Sequence, residues 1–200
     1  MSRVLHLTGW VYVAVCAWVL AGALGARRGG GERLPERPPE PQVTAGGFGG
    51  SGAEWFAAVK PYCNAVEVEI QQQRHPAPHS LQGAGFSAAC YALAGKIDSA
   101  RVAIDRLPAG ERPRAAGIVF EIGHPVADAG DDRSAGPIME LVIEYWPNNY
   151  MALYHAGMSE YSLGQPELSR THLRSFLELY HEDDGWRRNA LEVLGRLGTE

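Results

Sequence analysis

Four side chains near the middle of the chain, His124, Asp128, Asp131 and Asp132, are of types that bind a divalent metal. His124 and Asp128 are four residues apart and share one face of a helix. Asp131 and Asp132 follow Gly130 and open the next helix, where an aspartate caps free N–H groups and favours the helix dipole. Capping accounts for the acidic pair, so no metal is expected. The stretch His181-Glu-Asp-Asp184 before Gly185 reads as a polar loop capping the helix that follows. Gly85-Phe-Ser-Ala-Ala89 is one glycine short of a nucleophile elbow and lies within a helical pattern, which makes Ser87 a small packing residue. Cys16, Cys63 and Cys90 are too few for a disulfide framework and lack the CxxC spacing of a zinc site. Cys63 and Cys90 read as buried small hydrophobes, with a disulfide between them open only to an extracytoplasmic domain. The stretch Gly47-Phe-Gly-Gly-Ser-Gly52 satisfies GxGxxG, but no strand precedes it, as a dinucleotide site requires. No nucleophile, base and orienter assemble from these residues, so neither an enzyme nor a cofactor is expected.

The elements that would position such groups fall into three zones. Residues 4–25 contain no formal charge, and as a helix those 22 residues reach about 33 Å, against a hydrocarbon core of about 30 Å. Residues 1–28 are therefore expected to be a retained transmembrane anchor ending at Arg27-Arg28, making a single-pass membrane protein. The rival is a cleaved signal peptide, with small residues at Ala21-Gly22-Ala23. Arginines 27, 28, 33 and 37 outnumber Arg3, so the positive-inside rule favours a cytoplasmic C-terminal domain, with a periplasmic one as the alternative. Residues 29–52 carry Pro35, Pro38, Pro39 and Pro41 and then five glycines, the composition of a flexible linker. Residues 53–200 form the folded domain. The chain's net charge of −5 includes a surplus of two positives in residues 1–50, which leaves the rest at −7. An acidic domain has no patch to neutralise phosphates, and nucleic acid is not an expected partner.

From Ala53 onward the chain reads as all-α, with helix formers dominating and Gly or Pro at breaks fifteen to twenty residues apart. Gly123 and Gly157 are 34 apart, as are Gly130 and Gly164, Val119 and Leu153, Ala135 and Ser169, and Met139 and Leu173. A step back of 35 from the middle unit meets Ala88, Gly95, Ala100 and Ile104, again small or apolar. Three units follow, near residues 81–108, 116–147 and 150–181. The stretch 54–73 reads as an N-terminal cap helix broken near Pro61. A C-terminal cap places Trp186, Leu191, Leu194 and Leu197 on one face. In this phase Gly157 is the close-packing residue of its helix, while Ser159 faces elsewhere.

Spacing and residue types, clearest in LYHAG, Leu163-Gly164-Gln165 and FLELY, resemble the tetratricopeptide repeat, in a membrane-anchored bacterial form. The resemblance implies a short α-solenoid of about three helix–turn–helix units with cap helices. Departures are Pro125 inside a first helix, where a kink is expected, Glu160 and Val126 at positions the family fills with an aromatic, Ser169 for alanine, and His181 for the closing proline.

Members of that family bind proteins along the face lined by the first helix of each unit. Mapped here, that face holds Gln82, Phe86, Phe120, His124, Met151, Tyr154, His155, Met158 and Tyr161. It lacks the Lys, Arg and Asn that clamp a terminal carboxylate in chaperone-tail binders, and its aromatics and methionines suit apolar surface or core. The resemblance implies a non-enzymatic scaffold or assembly subunit of a membrane complex (respiratory, photosynthetic, secretion or envelope), with other subunits as partners. The alternatives are a periplasmic or secreted peptide-binding adaptor with a cleaved signal, and a small hydrolase or metal protein on a helical frame.

Overall fold

Gly95, Gly130 and Gly164 have φ of 71°, 76° and 74° in the computed structural model, which describes residues 50–198. Each reverses the chain between two helices. The glycine N–H donates to the carbonyl three residues back. The next N–H reaches five back: Lys96 to Tyr91 at 2.9 Å, Asp131 to Val126 at 3.3 Å and Gln165 to Glu160 at 2.8 Å. This is the Schellman closure, which needs a left-handed residue and so selects glycine. Three copies of one turn at intervals of 35 and 34 residues make three helical hairpins.

The described residues form nine α-helices and two 3₁₀ turns, with no strand among them, so the domain is all-α as expected. Helices α1 (Gly52–Val59) and α2 (Val68–Arg74), with the 3₁₀ turn Lys60–Tyr62 between them, precede the hairpins. The hairpins are α3 (Leu81–Leu93) with α4 (Ile97–Asp105), α5 (Arg112–Asp128) with α6 (Asp132–Tyr145), and α7 (Tyr150–Ser162) with α8 (Pro166–Leu179). Helix α9 (Gly185–Leu197) closes the array. Side-chain caps start most of them. Ser51 and Glu54 form a capping box, and Ser80, Asp131, Asn149 and Asp184 each accept an N–H of the first turn.

Within a hairpin the helices meet at a small residue. A Cβ added to Gly123 would lie 2.5 Å from Ile138 Cγ2, and one added to Gly157 would lie 2.6 Å from Leu173 Cγ. Two apolar clusters result. The larger includes Trp55, Ile104, Val119, Ile138, Met139 and Val142; the smaller joins Leu153, Tyr154, Leu173, Phe176 and Val193 under α9. The hairpins do not stack uniformly. Between hairpins, α3 packs chiefly on α5, whereas α7 packs chiefly on α6.

Pro125 lies inside helix α5, which runs on to Asp128. Several other expectations are corrected. Ser159 does not face away from the packing: it is 1% exposed and its hydroxyl donates to Asp132 Oδ1 at 3.0 Å. Asp132 is thus engaged by its side chain, and only Asp131 caps α6, accepting from Ser134 N–H at 3.2 Å. Helix α9 buries Ala190, Val193 and Leu197, a three-then-four stripe that turns Leu191 out to solvent. Glu160, also 1% exposed, replaces the expected aromatic by taking His172 Nδ1 at 2.7 and 2.9 Å, which pairs α7 with α8.

Cys63 and Cys90 are joined as a disulfide between the segment after the first 3₁₀ turn and α3. Among the described residues no helix is long and apolar enough to cross a membrane. The longest, α5, has 17 residues and carries Arg112, Arg114 and Glu121. On that finding the single-pass membrane placement is corrected and not carried forward. The segment 4–25 expected to span, and residues 29–49 of the expected linker, lie outside the described residues.

Candidate functional site

Helices α5 and α7 bring together two imidazoles and a carboxylate. His124 and Asp128 lie one turn apart on α5, and His155 sits midway along α7. The two Nε2 atoms are 2.9 Å apart, and Asp128 Oδ1 lies 3.6 Å from His124 Nε2 and 3.8 Å from His155 Nε2. Depth grades across the site. His155 is buried at 6% exposure, His124 is partly covered, and Asp128 opens to solvent. Burial, and then the neighbouring His124, push the His155 pKa down to about 4, against the weaker pull of Asp128 and Asp132. His155 is therefore uncharged at neutral pH, and its ring nitrogens are free of excess protons.

Aromatic rings hold this group in place. Phe120 stacks on His124 with centroids 4.9 Å apart, and the edges of Tyr154 and Trp186 meet His155 at 5.3 and 5.6 Å. Trp186 enters because Asp184 caps α9 and starts that helix beside α7. Trp186 lies on the expected cap helix, but nothing in the sequence brings it to His155, since the contact spans a loop and a helix crossing.

The residues mapped to the first-helix face separate by environment. Phe120, His124, Met151, His155 and Met158 form one band: Met151 and Met158 lie four before and three after His155 on the same side of α7. Phe120, Met151 and Met158 are half-buried. Tyr154, 5% exposed, belongs to the core, packing against Phe176 and Trp186. Tyr161 packs against that same cluster, as does Met158 from the band, while Phe120 packs against the larger one. Phe86 lies apart, stacked on Phe56 of α1 at 5.1 Å, and Gln82 is exposed. Asp131 and Asp132, drawn with His124 in the sequence, stay out of the cluster because each has a partner on α6 or α7.

Ser87 is buried and donates its hydroxyl to Gln72 Oε1, while Gln72 Nε2 donates to the Ser87 carbonyl at 3.1 Å, so this serine ties α2 to α3. A separate cavity of about 760 Å³ opens between the loop before α3 and helices α3 and α4, lined by Gln72, Pro78, Tyr91, Val102, Arg106 and Leu107. None of the mapped face residues lines it. No family model, curated protein or solved structure matches this chain.

Proposed function

We propose that the chain is a non-enzymatic helical-hairpin adaptor that binds a partner protein along α5 and α7. The observation that supports this is the band from Phe120 across the histidine pair to Met151 and Met158, flanked by Trp186, which keeps 37% of its surface exposed. Tryptophan, phenylalanine and methionine are enriched where protein surfaces meet, and methionine adapts to varied shapes. The tetratricopeptide resemblance leads to the same face, as the first helices of consecutive hairpins. The acidic balance of the folded domain disfavours nucleic acid as the partner.

The disulfide favours the adaptor in an oxidising compartment over a scaffold inside a reducing one, since a Cys63–Cys90 bond persists only where thiols are not continually reduced. A photo-crosslinking residue at Met151 or Met158 is expected to capture one partner in the cells that make the protein, and the same residue at Arg174 of α8 is not. Met151→Glu should release that partner while leaving the helical circular dichroism intact and the thermal midpoint within a few degrees. Equal capture from Arg174, or full retention by the Met151 variant, rules out this face.

A further inference from the structure

We propose that His124, Asp128 and His155 form a three-ligand site for a divalent transition metal of the zinc class, bridging the second and third hairpins. This goes beyond the partner-binding reading and stands or falls independently of it.

Three mutually facing donor atoms carry the inference. Their separations of 2.9, 3.6 and 3.8 Å place the point equidistant from all three about 2.0 Å from each. Zinc bonds to imidazole nitrogen and carboxylate oxygen are about 2.0–2.2 Å, and tetrahedral ligands at that length stand roughly 3.3–3.6 Å apart. An ion slightly out of the plane of the three atoms thus meets bond length and angle with adjustments of a few tenths of an ångström. Asp128 lies beyond hydrogen-bond reach of both rings yet faces the same centre, so a hydrogen bond between the imidazoles does not account for its place.

The donor types narrow the metal. Two imidazoles and one carboxylate suit Zn²⁺, Co²⁺, Ni²⁺ or Cu²⁺, whereas Mg²⁺ and Ca²⁺ require mostly oxygen. Position supports the same view. Two ligands one turn apart on α5 share a face, and the third comes from a buried position on α7 fixed by Tyr154 and Trp186. Helices α5 and α7 otherwise touch little, each packing mainly on other helices, so an ion here would clamp two hairpins. With three protein ligands and the carboxylate at the open edge, the fourth position is left for water or a donor from outside the chain.

The test uses the full chain without a histidine tag, stripped with chelator and titrated with Zn²⁺ and Co²⁺ by calorimetry and absorption. One equivalent of Zn²⁺ is expected to bind and raise the thermal midpoint, Co²⁺ to show the visible band of a tetrahedral site, and Mg²⁺ and Ca²⁺ to do neither. Because His155 is buried and its loss could unfold the domain, the deciding variants are His124→Gln and Asp128→Asn. Each should weaken Zn²⁺ binding at least about tenfold, the loss that even supporting residues of metal sites produce, with the helical signal intact. Zn²⁺ affinity unchanged in both variants, an octahedral Co²⁺ spectrum, or an equal response to Mg²⁺ overturns the assignment.

Discussion

Two alanine substitutions of the same chemistry should move stability in opposite directions if the hairpin packing is as described. Gly117 and Gly157 both lie inside helices, and replacing glycine by alanine there gains up to about 1 kcal/mol in helix propensity. At Gly117 the new methyl meets only Trp146 Cζ3, at 3.7 Å, an ordinary contact. At Gly157 it meets Leu173 Cγ at 2.6 Å, Leu173 Cδ2 at 2.8 Å and Leu173 N at 3.2 Å. Leu173 is fully buried and cannot swing aside, and the backbone nitrogen moves only if α8 moves. Overpacking of this kind costs about 1–3 kcal/mol, which outweighs the propensity gain. Gly117→Ala should raise the thermal midpoint by roughly 2–4 °C, and Gly157→Ala should lower it by up to several degrees. Circular dichroism melts of the two variants, alongside urea titrations to compare slopes, measure the difference. Gly157→Ala as stable as Gly117→Ala would refute the close approach of α7 and α8 on which the hairpin geometry rests.

The remaining predictions follow from single contacts. Reducing the Cys63–Cys90 bond, 27 residues apart, should lower unfolding free energy by about 3.5 kcal/mol on the chain-entropy account, read as a fall in the denaturant midpoint with added dithiothreitol. His172→Ala strands the buried Glu160 carboxylate and should cost roughly 3–5 kcal/mol; denaturation that shows under about 1 kcal/mol denies that pairing. Tyr154→Ala should cost about 3–5 kcal/mol, and the half-buried Met151→Ala much less, so similar losses would contradict the division of that helix into core and band. The Tyr180 hydroxyl donates to Asp184, and this bond, chiefly, holds the Asp184 carboxyl below its ordinary range. The stability it contributes is present above the ordinary carboxylate value and lost as pH falls through the depressed one. Tyr180→Phe should therefore move the Asp184 titration upward in an NMR pH series.

Local chemistry made the hairpins readable. A left-handed turn excludes most side chains, so Gly95, Gly130 and Gly164 mark their positions in the sequence itself. Gly123 and Gly157 likewise mark where two helices approach too closely for a methyl. The caps at Asp131 and Asp184 follow from residue type and from what comes after them. The site was less legible. His124 and Asp128 stand one turn apart and invite notice, but their third partner is 31 residues from His124, off the 34-residue phase. No repeat register points from one histidine to the other.

By itself the sequence determined the all-α class, the three turn positions and the small residues at the crossings, because each depends on φ or on volume within a few residues. Tertiary structure alone decided which polar groups meet. It paired Glu160 with His172, joined Cys63 to Cys90, drew Ser159 to Asp132 and set His155 against His124 and Asp128. Those meetings depend on the rotation of each helix about its axis and on which helix of one hairpin packs on the next. At 100° per residue, a small difference in that rotation carries a side chain from solvent to core. Between hairpins the packing goes from α3 on α5 to α6 on α7, and the His124 and His155 Nε2 atoms meet at 2.9 Å across α5 and α7; no single-residue signal encodes either.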